Sequence, residues 1–327
     1  MTKPGPKNDI TDVPGVKVGQ AHDRAVKTGV TIVMPDKPAI CACDVRGGGP
    51  GTRETDLLAP STLVDTADAV VLSGGSSYGL GAADAAAAWL GARGRGFQLV
   101  PAPGTPPSPI VPAAILYDLA NGGDKAWGEN PPYADLARAA CEQIGGAVEQ
   151  GAAGAGFGAG AGDGPGGIGS ASYVTGDGIA VGALIAVNSF GSVKMPGSDV
   201  FWAWPFEEGN EFGGRRPAPD WRPAADLPPD TKLAAPARAN TTIGVIAVAA
   251  DLTQADAQRL AIMAQDGLAR AIRPIHGPTD GDALFVLATG GAPCADPLTL
   301  TRLGLLAADC AARAVARGVF EAERETS

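Results

Sequence analysis

The sequence predicts an α+β protein built as a layered sandwich, and three observations lead there. Short β-type runs cluster between helical stretches without strict strand–helix alternation, which argues against a doubly wound parallel sheet. Hydrophobic residues make up 45% of the 327 and aromatics only 5%, so the core is assembled from Ala and Val rather than from large rings. The 47 Gly and 28 Pro are interleaved with apolar runs, a pattern of turns and close backbone approaches and not of disorder.

The elements follow in order. Residues 10–20, 29–34 and 39–45 read as strands separated by Pro, Gly and Asp, and Arg46-Gly47-Gly48-Gly49-Pro50-Gly51-Thr52 reads as a loop. Ala67–Leu72 reads as one buried strand that passes through Ser73-Gly74-Gly75-Ser76-Ser77-Tyr78-Gly79 into an Ala-rich helix over 80–92. Strands are expected at 96–100 and 110–117, then a helix at 133–144 with Leu136, Ala140 and Ile144 at helical spacing. The Gly-dense stretch Gly151–Gly162 is either a flexible linker or a tight loop lining a site. Strand signals resume at 169–174 and at 179–187, the second ending in Asn188-Ser189.

Residues 194–239, rich in Pro, Trp and charge, read as a long surface excursion whose end is mobile enough to be cut. An apolar β-branched run then begins at once with Thr241-Thr242-Ile243. Thr253 and Asp256 predict a capping box for a helix over 254–272. A strand over 283–289 and a helix over 297–318 close the fold.

Several function classes are disfavoured. A net charge of −10 argues against a nucleic-acid surface or attraction to anionic membranes. The five cysteines are odd in number and scattered, which fits reduced thiols. Cys41-Ala42-Cys43 reads as a piece of strand with its thiols on alternate faces and not as half of a metal site, since no second Cys/His pair has a matching spacing. The N-terminal residues show no secretion signal and no run approaches a membrane span, so the expectation is a cytoplasmic protein.

Two stretches carry chemistry. Gly75-Ser76-Ser77-Tyr78-Gly79 matches the G-x-S-x-G elbow of α/β-hydrolases between a strand and a helix. A Ser77 esterase, however, needs a late His, only His22 and His276 exist, and no HGGG-type segment precedes the elbow. A tight glycine turn is the plainer reading. The second stretch is Asn240-Thr241. If that bond breaks, Thr241 gains a free α-amino group beside its own hydroxyl, so one residue supplies both nucleophile and base. The unperturbed pKa of such an amine, about 7.7–8.0, suits proton transfer near neutral pH.

Asn240-Thr241-Thr242-Ile243, Arg270-Ala271-Ile272-Arg273-Pro274, Asp280-Gly281-Asp282 and Ser73–Leu80 resemble the family of DmpA-like aminopeptidases, β-peptidyl aminopeptidases and nylon-oligomer hydrolases. The resemblance runs from Asp12-Val13-Pro14-Gly15-Val16 to the last helix. It implies a four-layer αββα sandwich of N-terminal-nucleophile-hydrolase type, made as a precursor. Cleavage at Asn240–Thr241 would give chains of 240 and 327 − 240 = 87 residues that stay together as one domain, in a homotetramer of αβ units.

By position Thr241 is the implied nucleophile and Asp280 and Asp282 the acidic groups beside it. Asn188 and Tyr117 line the site as oxyanion donors, and Gly75 and Tyr78 contact substrate. The implied substrate is a small amide, peptide or nylon-type oligomer, with no cofactor and no metal. A related branch transfers acetyl groups. One departure stands out: where the nylon branch carries a Lys after the Gly/Ala loop, this chain has Asp163, and no Lys lies between Lys125 and Lys194. That departure favours the competing reading, an uncleaved protein that binds a small ligand.

Overall fold

The computed structural model describes residues 1–327 apart from 224–225, 233–239, 295 and 327. Its apolar runs sort into two sheets. In chain order the strands are β1 (Val16–Asp23), β2 (Thr28–Pro35), β3 (Ala39–Val45), β4 (Thr52–Arg53), β5 (Thr66–Ala67), β6 (Val70–Ser73), β7 (Ala113–Ile115), β8 (Gly160–Ala161), β9 (Gly164–Pro165), β10 (Gly167–Val174), β11 (Ala180–Asn188), β12 (Thr241–Asp251) and β13 (Ala283–Pro293). One sheet has the order β1-β2-β6-β7-β4 and the other β10-β11-β12-β13-β3-β5, while β8 and β9 form a small separate ribbon. The helices are α1 (Gly81–Gly91), α2 (Tyr133–Glu142), α3 (Gln254–Ala271) and α4 (Pro297–Thr326).

Period-two alternation builds the layers. In β12, Ile243, Val245 and Ala247 point between the sheets, where they meet Val33, Leu72 and Phe285. Ile246 and Val248 point the other way, into the core made with α3 and α4. On the far side, Ile32 and Val71 pack under α1 and α2. The result is the four-layer αββα sandwich.

Several expectations are corrected. Ala67–Leu72 is not one strand: Ala67 pairs with β3 in one sheet and Val70–Ser73 pairs with β2 in the other. Between them the Asp68 carboxylate accepts the Ile110 N–H at 2.9 Å and the Arg95 Nε at 3.2 Å, pinning the crossover. Residues 96–100 form no strand but only a bridge between Phe97 and Ser108, with Leu99 and Val100 largely exposed. The strand expected over 110–117 is confined to Ala113–Ile115.

The last helix continues past Gly318, because this glycine lets α4 lie against β10: a Cβ there would stand 2.6 Å from the Gly169 nitrogen. Cys41 and Cys43 lie on the same, inter-sheet side of β3, with Ala42 opposite, as residues two apart must. All five thiols are free. Among the described residues no helix is long and apolar enough to cross a membrane.

Much of the segment after β11 is not a surface excursion. Phe201, Ala203 and Phe212 enter the α3/α4 core. Fully buried Arg313 of α4 grips Glu211 through Nε at 2.6 Å and Nη2 at 2.9 Å, and also donates to Asn8 Oδ1 and the Ser172 carbonyl. The end expected to be mobile, 233–239, lies outside the described residues. Removing one partner of a buried pair leaves an uncompensated charge. Arg313→Ala is therefore expected to lower stability by about 3–5 kcal/mol in urea unfolding, and adding Glu211→Ala is expected to recover part of that loss.

Candidate active site

Strand β12 lies antiparallel to β11, with Asn188 opposite Thr241, and parallel to β13. Parallel pairing brings the starts of β12 and β13 to the same end of the sheet, and a further bridge joins Asn240 to Asp280. Five sequence-predicted residues thereby converge: Asn240, Thr241, Asp280, Asp282 and Asn188, each no more than 4% exposed. By alternation Thr241 shares the inter-sheet side of β12 with Ile243.

At the centre is the Asn240 carbonyl. It accepts the Gly281 N–H at 3.0 Å and, from its other side, the Thr241 hydroxyl. A Cβ on Gly281 would stand 2.6 Å from Thr241 Oγ1 and 3.0 Å from the Gly49 carbonyl, so glycine alone fits this crossing. The Arg46–Gly49 loop clamps the segment from behind. Arg46 N donates to the Asp282 carbonyl at 2.9 Å, Gly48 N to Gly277 at 3.2 Å and Gly49 N to Asp280 at 2.7 Å.

The two acids are differently engaged. Asp282 Oδ1 accepts the Thr242 N–H at 2.6 Å, and its Oδ2 accepts the His276 N–H at 3.1 Å and faces His276 Nδ1 at 2.8 Å. This carboxylate ties the start of β12 to the loop before β13. Asp280 Oδ2 accepts the Gly277 N–H at 2.6 Å, while Oδ1 is buried without a hydrogen-bond partner among the described residues. Burial, reinforced by the Asp282 charge, pushes the Asp280 carboxyl up to about 6.

Around Asn188 the contacts differ from expectation. Its Nδ2 donates to the main-chain carbonyl of Tyr117 at 3.0 Å, so the Tyr117 backbone rather than its hydroxyl meets this side chain. Asn188 Oδ1 accepts the Gly160 N–H at 3.0 Å and Lys232 Nζ at 3.1 Å. Gly160 places the Gly-dense stretch at the site: it is a tight loop, with β8 bonded to Asn188, and not a linker. Lys232 escaped the sequence reading because it lies in an aperiodic segment. Desolvation lowers its ammonium to about 7, with Asp280 pulling it partly back up.

The remaining residues lie in other surroundings. Gly75, at φ +86°, has the Tyr133 ring where a Cβ would be, and its N–H donates to Asp118 Oδ1 at 2.8 Å. The Tyr78 ring is half exposed and meets Trp127 edge-on. Ser77 is exposed in a 3-10 turn, Ser76 and not Ser77 has positive φ, and His276 faces Asp282, so the pair an elbow mechanism needs is not formed among the described residues. Asp163 is exposed, its N–H bonded to the Asp230 carbonyl at 3.0 Å, and the cation beside Asn188 comes from Lys232 instead.

The fold matches known proteins. A β-aminopeptidase from Burkholderia superposes with a TM-score of 0.72 at 23% identity, covering 97% of this chain and 88% of that one. The L-aminopeptidase D-Ala-esterase/amidase of Ochrobactrum anthropi, described as a variant of the Ntn-hydrolase fold, gives 0.69 at 22% identity over 97% and 86% of the two chains. The architecture is thus of Ntn-hydrolase type. In sequence, the model of peptidase family S58 matches residues 8–327, and the chain belongs to that family of peptide- and amide-bond hydrolases. An uncharacterized aminopeptidase of Mycobacterium tuberculosis is 43% identical over 97% of this chain and 94% of its own length. A 6-aminohexanoate-oligomer endohydrolase of Kocuria is 31% identical over 85% and 74%.

The raised Asp280 carboxyl has a signed consequence for stability. The folded chain favours its protonated form, so its contribution is full below about pH 4 and is lost as pH rises through about 6. Thermal unfolding of Asp280→Asn is expected to lack the fall in Tm that the parent shows across that window. An identical pH profile in both would contradict this.

Proposed function

We propose that this chain is a self-processing amidohydrolase with Thr241 as its nucleophile, cut at Asn240–Thr241 into 240 and 87 residues. The observation that carries the reading is the Asn240 carbonyl, held between the Thr241 hydroxyl and the Gly281 N–H. In the uncut chain Thr241 Oγ attacks the Asn240 carbonyl carbon, and negative charge develops on the oxygen that already accepts from Gly281. One such preorganised donor contributes about 10²–10³ in rate in other enzymes. The C–N bond breaks and the nitrogen takes a proton, leaving an ester. Water then hydrolyses the ester, giving an Asn240 carboxylate and a free Thr241 amine.

The new amine takes the proton from Oγ when Thr241 attacks a substrate carbonyl. The acyl group passes to Oγ, the substrate amine leaves protonated, and water releases the acid. Asp280 Oδ1, buried and unpartnered among the described residues, is the acceptor available to the ammonium form of that amine. Asp282, bonded to Thr242, fixes the strand on which the nucleophile rides. Asn188 frames the opposite side.

The substrate class follows from the relatives' names: amides of small peptides, β-residue peptides or D-Ala amides among them, or oligomers of the 6-aminohexanoate type. The two chains stay together as one domain because β12 is central in its sheet, and the family resemblance alone supports a homotetramer of αβ units.

Intact mass and N-terminal sequencing of purified protein test this directly. Two fragments are expected, the smaller beginning Thr-Thr-Ile-Gly, and Thr241→Ala should give one chain of 327 residues. A wild-type chain that stays whole on long incubation would favour the ligand-binding reading. Gly281→Ala, whose methyl meets Thr241 Oγ1, is expected to slow cleavage at least about 100-fold in a protein that still folds by circular dichroism.

A further inference from the structure

The assignment of Thr241 as nucleophile leaves one neighbour of the site without a role. Lys232 lies in the segment leading into the Asn240–Thr241 bond. Its backbone N–H donates to the Phe190 carbonyl at 3.0 Å, and its Nζ reaches two atoms of Asn188, Oδ1 at 3.1 Å and the carbonyl at 3.2 Å. The stem lies along β8, with Cε 3.6 Å and Nζ 3.8 Å from where a Cβ on Gly160 would be.

The residues before it are fixed as well. The Asp230 carbonyl accepts the Asp163 N–H at 3.0 Å, and the buried Thr231 hydroxyl donates to the Pro228 carbonyl at 2.9 Å. The lysine is therefore seated by the surrounding fold, not draped over it. Removing an ammonium from water is costly, so a lysine whose nitrogen meets, among the described residues, only oxygens of a single asparagine calls for a purpose.

Asn188 supplies one. A carboxamide has two nearly isosteric orientations, and its neighbours decide between them. Here Gly160 N–H and Lys232 Nζ both donate to Oδ1, which turns Nδ2 toward the Tyr117 carbonyl. Asn188 stands opposite Thr241 in the β11–β12 register, so that orientation sets the wall of the site facing the nucleophile.

We propose that Lys232 is a positioning residue for acyl transfer at Thr241: it fixes the Asn188 carboxamide and supplies positive charge on the side of the site facing Asp280. This rests on the assignment of Thr241 as nucleophile. Among the described residues the acid that pulls on its ammonium is Asp280, which itself feels the charges of Asp282 and His276, while Asp230 precedes it by two residues and takes the Asp163 N–H on its carbonyl. While it is protonated, below about pH 7, Lys232 opposes protonation of the Thr241 amine and lowers the pH at which that amine becomes a base. The sequence departure at Asp163 then removes no cation from the site, because Lys232 brings one from a different segment.

The test compares wild type, Lys232→Met and Lys232→Arg. Conversion of the full chain to the 87-residue fragment is followed by intact mass, and kcat/KM of processed enzyme is then measured against pH with amino-acid p-nitroanilides. Lys232→Met is expected to slow self-cleavage by about tenfold, the size of one hydrogen bond to a charged group. It should also move the acidic limb of the pH profile upward by roughly half a unit or more. Lys232→Arg should restore most of the cleavage rate and return the limb toward wild type.

A Met variant that cleaves at the wild-type rate with an unmoved limb would overturn the proposal. So would an Arg variant no better than Met, the result expected of a lysine that only fills space. Lys232→Gln carries the same comparison if the Met protein does not fold. Failure of the wild type to cleave, or cleavage of Thr241→Ala, would instead remove the assignment of Thr241 itself.

Discussion

The site depends on the parallel pairing of β12 with β13. Parallel neighbours start at the same end of a sheet, so the residues that precede them are brought together however far apart they lie in sequence. The bridge from Asn240 to Asp280 and the bond from the Asp282 carboxylate to Thr242 N–H are direct results. The crossover between the two strands is α3, whose capping box at Thr253 and Asp256 starts the helix and whose apolar side packs into the same core as Ile246 and Val248. The geometry around one peptide bond is thus held by a sheet register, a helix cap and a core.

Because the pairing is central in its sheet, both sides of the start of β12 are occupied. On one side stand Asn188, Gly160 and Lys232. On the other, the Arg46–Gly49 loop closes over the 277–282 loop with backbone bonds. The Asn240–Thr241 bond is buried, with Asn240 and Thr241 each at most 4% exposed. In such surroundings a carbonyl held by an N–H donor is already polarised, and few water molecules compete for it.

What the sequence made legible follows from the kind of signal each element carries. Long apolar runs with period two gave β11, β12 and β13, and the capping box placed α3 correctly. Thr241, Asp280 and Asp282 were legible because they sit at abrupt polar-to-apolar boundaries within a recognisable motif. The crossover at Asp68 was hidden, because a strand split between two sheets has the same apolar pattern as one continuous strand. Gly160 was legible only as one of two readings of its stretch, a loop lining a site or a linker, and Lys232 was not legible at all. Neither lies in a periodic segment, and their contribution arises from a backbone N–H and from the tip of a flexible side chain, which composition does not encode. The continuation of α4 past Gly318 was missed because a glycine reads as a stop, whereas here it permits contact with Gly169.

The electrostatics of the site give Lys232 its meaning. Two carboxylates buried side by side repel, and burial raises the pKa most for whichever is less well bonded. Asp282, with Thr242 N–H and His276 around it, is the better satisfied of the two. Asp280, whose Oδ1 has no side-chain partner among the described residues, is the one displaced to about 6. Lys232, on the Asn188 side, is displaced in the opposite direction to about 7. A buried acid and a buried base with values this close leave a site whose net charge changes little in cost as protons move near neutrality. That is the condition that the proposed chemistry at Thr241 requires, so that protons can move between hydroxyl, amine and leaving nitrogen without a large charge being stranded in the core.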